Sequence, residues 1–125
     1  MLTIAIDFDG TIVEHEYPKI GVPVSYAIEY MIAFKELGAK LILWTMRDGK
    51  ELAEAVQYCS DRGIEFDAVN QSISRWSESP KAEAQIYIDD AAFGCPLNFS
   101  KVAHGKRPYV DWTQVGPAVI DRLRR

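Results

Sequence analysis

The sequence predicts an α/β fold with three layers, a parallel sheet between helical layers. Three observations predict it. Apolar runs at 2–8, 40–45 and 85–89 each end in a polar residue, as buried parallel strands do. Segments with helical spacing separate the first of these runs. The chain also has the composition of a folded globular domain, 48% hydrophobic and 26% charged over 125 residues.

Residues 2–8 (LTIAIDF) form the first strand. Residues 12–22 (IVEHEYPKIGV) are polar and turn-rich and predict a short flap hairpin. Pro23 suits the first turn of a helix. Tyr26, Ile28, Tyr30, Met31, Ile32, Phe34 and Leu37 supply that helix's apolar side, and Gly38 ends it. Residues 40–45 (KLILWT) are the second strand. An amphipathic helix over 49–62 follows, carrying Leu52, Ala53, Val56 and Tyr58, with Gly63 as its stop. A short strand is expected at 66–69, then loop and a short helix near Pro80, then a strand at 85–89 (QIYID). A further strand is expected at 101–104 and a last helix at 115–124. Nothing in the pattern divides the chain, so residues 1–125 read as one domain.

Composition excludes several function classes. No apolar run approaches the roughly 18–20 residues of a membrane span, and MLTIAIDFDG lacks the basic start of a secretory leader. Cys59 and Cys95 have no metal-ligand spacing and read as reduced thiols, which suits a cytoplasmic protein. The net charge of −4 argues against general nucleic-acid binding. The charge is uneven: residues 1–100 hold 8 Lys/Arg against 16 Asp/Glu, and residues 101–125 hold 6 against 2.

Right-handed crossovers place all parallel strand ends on one edge, where open α/β sheets carry their sites. Asp7, Asp9, Thr45, Asp89 and Asp90 therefore converge. Two acidic pairs at strand ends are costly unless neutralised. A hard divalent cation such as Mg²⁺ is the simplest neutraliser, because it takes a few oxygen ligands and keeps waters that phosphate can displace. The plainer alternative is that each acid caps the following turn. Thr45 and Arg47 follow a strand end and could hold an anion; the plainer alternatives are a cap or turn hydroxyl for Thr45 and a salt bridge to the helix around Glu51 for Arg47. Lys81 could neutralise both a carboxylate and a phosphate. His15, in the flap, reads as a loop residue, and Trp76 and Trp112 read as structural anchors.

Asp7-Phe8-Asp9-Gly10-Thr11, Thr45, Lys81 and Asp89-Asp90 resemble the four ordered motifs of the haloacid dehalogenase (HAD) superfamily. The resemblance spans residues 2 to about 104. It implies a Rossmann-like α/β/α domain and Mg²⁺-dependent phosphohydrolase activity. Asp7 would attack phosphorus and form an aspartyl-phosphate. Asp9 would protonate the leaving oxygen and then activate water. Thr45 and Lys81 would hold phosphoryl oxygens, with Gly10, Thr11 and Arg47 also facing substrate. Asp7, the Asp9 main-chain carbonyl and Asp89 would ligate Mg²⁺, with Asp90 behind them. The 36 positions from Asp9 to Thr45, and again from Thr45 to Lys81, leave no room for a cap domain. An open site suits a phosphorylated macromolecule as well as a small molecule, or closure by a second copy in a homo-oligomer. A phosphoacceptor receiver domain shares this kit of residues, but places its lone acid mid-chain and its acidic pair early. A non-catalytic metal-binding module with the same fold is the other class.

Overall fold

The computed structural model describes residues 2–125. Four parallel strands form the main sheet: β1 (Thr3–Ile6), β2 (Lys40–Leu43), β3 (Ala68–Val69) and β4 (Ile86–Ile88), in the order β3-β2-β1-β4. Ile4 pairs with Leu41 on one side and Ile86 on the other, so β2 and β4 flank β1 as the apolar runs predict. β5 (Leu97–Asn98) and β6 (Tyr109–Val110) make a separate antiparallel pair. No described helix is long and apolar enough to cross a membrane.

Strand alternation sorts the core. Ile4, Ile6, Leu41, Leu43 and Ile88 face one way and pack with α1 (Ala27–Glu36), α2 (Gly49–Asp61) and α3 (Trp112–Leu123). Ala5 and Ile42 face the other way and meet Ala82, with Trp44, Ala68 and Ala84 around them. The crossover rule explains the asymmetry. The steps β1 to β2 to β3 run in one direction, so α1 and α2 share a face; the return from β3 to β4 crosses the other face. That return, residues 70–85, contains no helix, and the third layer is irregular chain. Side chains shape it instead. The Glu83 amide donates to Ser72 Oγ (2.8 Å), Trp76 Nε1 donates to Glu83 Oε2 (2.8 Å), and the Tyr87 hydroxyl donates to the Ala82 carbonyl. The short helix expected near Pro80 is therefore absent. Its Ser-rich sequence offers the backbone local partners that compete with a helix.

Other boundaries move for identifiable reasons. α1 starts at Ala27, not near Pro23, because Pro23 bridges Val13 and the Val24 amide donates to the Ile12 carbonyl (2.9 Å). Pro23 and Val24 are thus the return leg of the predicted flap hairpin. α3 starts at Trp112 rather than 115, because Asp111 caps it by accepting from the Thr113 amide (3.0 Å). Residues 102–104 form a 3₁₀ turn, not a strand; pairing occurs on either side of it, in β5 and β6. Nothing inserted between the described elements forms a cap domain.

Candidate functional site

The strand ends meet as the topology requires. The Asp7 amide donates to the Ile88 carbonyl (3.0 Å), the Trp44 amide to Ile6 (2.9 Å) and the Asn70 amide to Leu43 (2.8 Å). These bonds extend the sheet ladder by one residue and set Asp7, Thr45, Asn70 and Asp89 along one edge. The chain leaves β1 toward β2 and arrives at β4 on the other side, so the Asp7–Asp89 crevice is the sheet's topological switch point.

One carboxylate oxygen from each of Asp7, Asp89 and Asp90 lies within 4.8 Å of the others. Burial, then the Asp89 carboxylate, push the Asp7 carboxyl up to about 8. Burial raises Asp89 as well, with Asp90 adding to it against a lowering bond from the Ala91 amide. Three partly buried carboxyls with hard oxygen donors fit a divalent cation of the Mg²⁺ or Ca²⁺ class.

The loop after β1 is fixed from several sides. Thr11 is fully buried; its hydroxyl reaches Asp7 (3.5 Å) and accepts from the Asp90 amide (3.3 Å). Trp112 Nε1 donates to the Thr11 carbonyl (2.8 Å), which gives Trp112 the anchoring role expected of it. Gly10 has a φ of +83°, and a Cβ there would lie 2.1 Å from His15 Nε2. A side chain would collide with the contact between His15 Nε2 and Asp90 Oδ2 (2.9 Å). Gly10 and Thr11 thus build the site from beneath, Gly10 by leaving room for the His15–Asp90 contact and Thr11 by linking Asp7 to Asp90.

Arg47 forms an ion pair, with Asp9 as its acidic partner, and it meets Glu51 only at the main-chain carbonyl. It is 1% exposed, and its guanidinium forks onto both oxygens of Asp9 (2.8 Å each). Its remaining donors reach the carbonyls of Pro18, Lys19 and Glu51. The bond to Asp9 raises the Arg47 pKa above its ordinary value. With its donors directed to protein, Arg47 is a clamp between the flap, α2 and the Asp9 loop, not a second phosphate contact. Asp9 is correspondingly held away from the three-carboxylate cluster.

Thr45 lies at the crevice floor. Its Oγ1 accepts from the Arg47 amide (3.1 Å), so its hydroxyl hydrogen remains for an anion. Asn70 holds the Thr45 amide (2.8 Å) and donates back to the Arg47 carbonyl (3.3 Å). Two adjoining cavities open from this floor. One, of about 470 Å³, has Asp9, His15, Tyr17 and Arg107 on its walls; the other, of about 360 Å³, has Trp44 and Asn70. Asp7, Thr45, Met46 and Asp89 belong to both.

Lys81 is not brought to this edge. It lines a separate cavity of about 320 Å³ with Ser72, Trp76 and Tyr87, and its Nζ lies 5.4 Å from the Tyr87 ring centre. Tyr87 points to the helix-free face of the sheet, and Lys81 sits with it. The loss of the helix before β4 accounts for the position. Three residues of the site carry weak signals in the sequence. His15 reads as a polar residue of the flap, and its contact with Asp90 is what brings it to the site. Asn70 gave a signal only as a polar strand end. Arg107 gave none beyond its basic neighbourhood.

No protein-family model matches the chain, and no curated protein matches it. A solved structure, that of a conserved protein from Bacteroides thetaiotaomicron, is 36% identical. The match covers 97% of this chain and 91% of the other, with a TM-score of 0.79.

Proposed function

We propose that this chain, which belongs to the same family as the conserved Bacteroides thetaiotaomicron protein, is a Mg²⁺-dependent phosphohydrolase with Asp7 as nucleophile. The observation that carries the reading is the convergence of Asp7, Asp89 and Asp90 at the switch point of a parallel sheet. The four-motif resemblance supplies the reaction type. Asp7, Asp89 and the Asp9 carbonyl would hold the cation, with Asp90 beside them. Bound there, it would offset repulsion between an anionic nucleophile and an anionic phosphoryl group.

The chain's own residues then divide the work. An Asp7 oxygen bonds to phosphorus as the bond to the leaving oxygen breaks, and water later cleaves the aspartyl-phosphate to release phosphate. Thr45 donates its hydroxyl to a phosphoryl oxygen. Asp9 gives a proton to the leaving oxygen and takes one from the attacking water. Both its oxygens are engaged by Arg47 here, so that role requires one of them to be released from the fork. The burial of Thr11 and Phe8 holds the turn in place during this exchange.

The Asp9–Arg47 clamp and the position of Lys81 favour a second reading, a metal-binding module without turnover. Phosphate release from an aryl phosphate, with and without Mg²⁺, separates the two, with Asp7→Asn as blank. Mg²⁺-dependent release by the wild type and none by Asp7→Asn supports hydrolysis. Metal binding with no release across metabolite classes would leave the module.

A further inference from the structure

We infer that Arg107 is the cation that receives the substrate phosphoryl group, in the place that Lys81 does not reach. This rests on the phosphohydrolase reading for its substrate and on independent geometry for its position. An anion entering a crevice floored by Asp7, Asp89 and Asp90 needs a positive partner besides the metal. The larger cavity has three candidates on its walls. Arg47 is buried and its donors go to Asp9 and to carbonyls. His15 is engaged with Asp90. Arg107 is exposed, and no ion pair to it forms among the described residues.

Arg107 is not a loose surface arginine. Three residues on, the Val110 amide in β6 donates to the Gly10 carbonyl (2.9 Å), tying this segment to the nucleophile loop. Before it, Lys101 pairs with Glu14 and Lys106 pairs with Glu16, so both lysines face the flap. The two lysines that could compete for an anion are thereby turned toward the flap acids. Arg107 is left facing the cavity that contains Asp7. Its planar fork suits two phosphoryl oxygens at once. Of the six basic residues in 101–125, Lys101, Lys106 and Arg125 have acidic partners and Arg122 lies in the last turn of α3, where a cation suits the helix end.

The test is the binding of inorganic phosphate to Mg²⁺-loaded protein by calorimetry, with Mg²⁺ affinity and aryl phosphate KM measured alongside. Arg107→Ala should weaken phosphate binding roughly tenfold or more, the scale of a lost charged hydrogen bond. KM should rise in parallel, Mg²⁺ affinity should not change, and Arg107→Lys should recover part of the loss. If the wild type binds phosphate through Arg107 yet turns over no substrate, the inference stands and the hydrolytic reading fails. Wild-type phosphate affinity in Arg107→Ala would overturn the inference even if hydrolysis is intact. So would loss in Lys81→Ala alone, or a wild type that binds no phosphate.

Discussion

At Asp7, burial and the neighbouring carboxylates disfavour the ionised form, and the carboxyl is pushed up to about 8. An acid whose folded pKa exceeds its unfolded value binds more protons in the native state between the two. Metal-free protein should therefore lose stability as pH rises from about 4 to about 8. The raised Asp89 acts in the same direction. Asp7→Asn should flatten much of that slope, which melting temperatures in chelator across the range will show. Arg47 makes a second residue-scale prediction. Removing a buried partner of a salt bridge costs about 3–5 kcal/mol. Arg47→Ala should destabilise on that scale, because Asp9 and three carbonyls lose their donor. Arg47→Lys should recover only part, since an ammonium cannot fork onto both oxygens. Urea midpoints measure both. Sequence pattern could place Arg47 near the site but could not say which way its five donors would turn. Only the folded flap supplies the carbonyls of Pro18 and Lys19.

Helix α3 packs across α1, with Gly116 against the Tyr30 ring and Trp112 6.1 Å from Phe34. A Cβ at Gly116 would lie 2.5 Å from Tyr30 Cγ, near the root of that side chain, where it cannot swing away. Ala is favoured over Gly in a helix by about 1 kcal/mol. Gly116→Ala should nevertheless lower the thermal midpoint, and a rise would mean that the α1–α3 contact gives way easily. The strands of the main sheet and α2 were legible because short apolar runs bounded by turn residues suit buried strands and a 3.6-residue period suits an amphipathic helix. The segment 70–85 was not legible. Its order comes from Ser72, Trp76 and Glu83 bonding across sequence gaps of seven and eleven residues, which leaves no period to read. The same gap displaced Lys81, since the expected position assumed a helix leading into β4. The hairpin that presents Arg107 was hidden for a related reason: β5 and β6 are two residues each.

The whole molecule is a sheet with a helical layer on one face, an irregular layer on the other and an uncovered crevice at its carboxyl edge. Asp7, Asp89 and Asp90 could be placed there from sequence because strand ends and crossover handedness determine the edge. A cation that binds only the folded state stabilises it by mass action. Mg²⁺ should raise the melting temperature, more at pH 8 than at pH 5, where protons compete for Asp7 and Asp89. Asp89→Asn should reduce that gain, and an unchanged gain would remove Asp89 from the ligand set. The central claim is that Asp7 carries the phosphoryl group, and rapid-quench trapping of labelled phosphoenzyme tests it most directly. With a substrate whose leaving group needs little protonation, Asp9→Asn should accumulate acid-stable label at Asp7, because hydrolysis of the intermediate slows, and Asp7→Asn should show none. Label on any other residue, or retained in Asp7→Asn, would contradict the account.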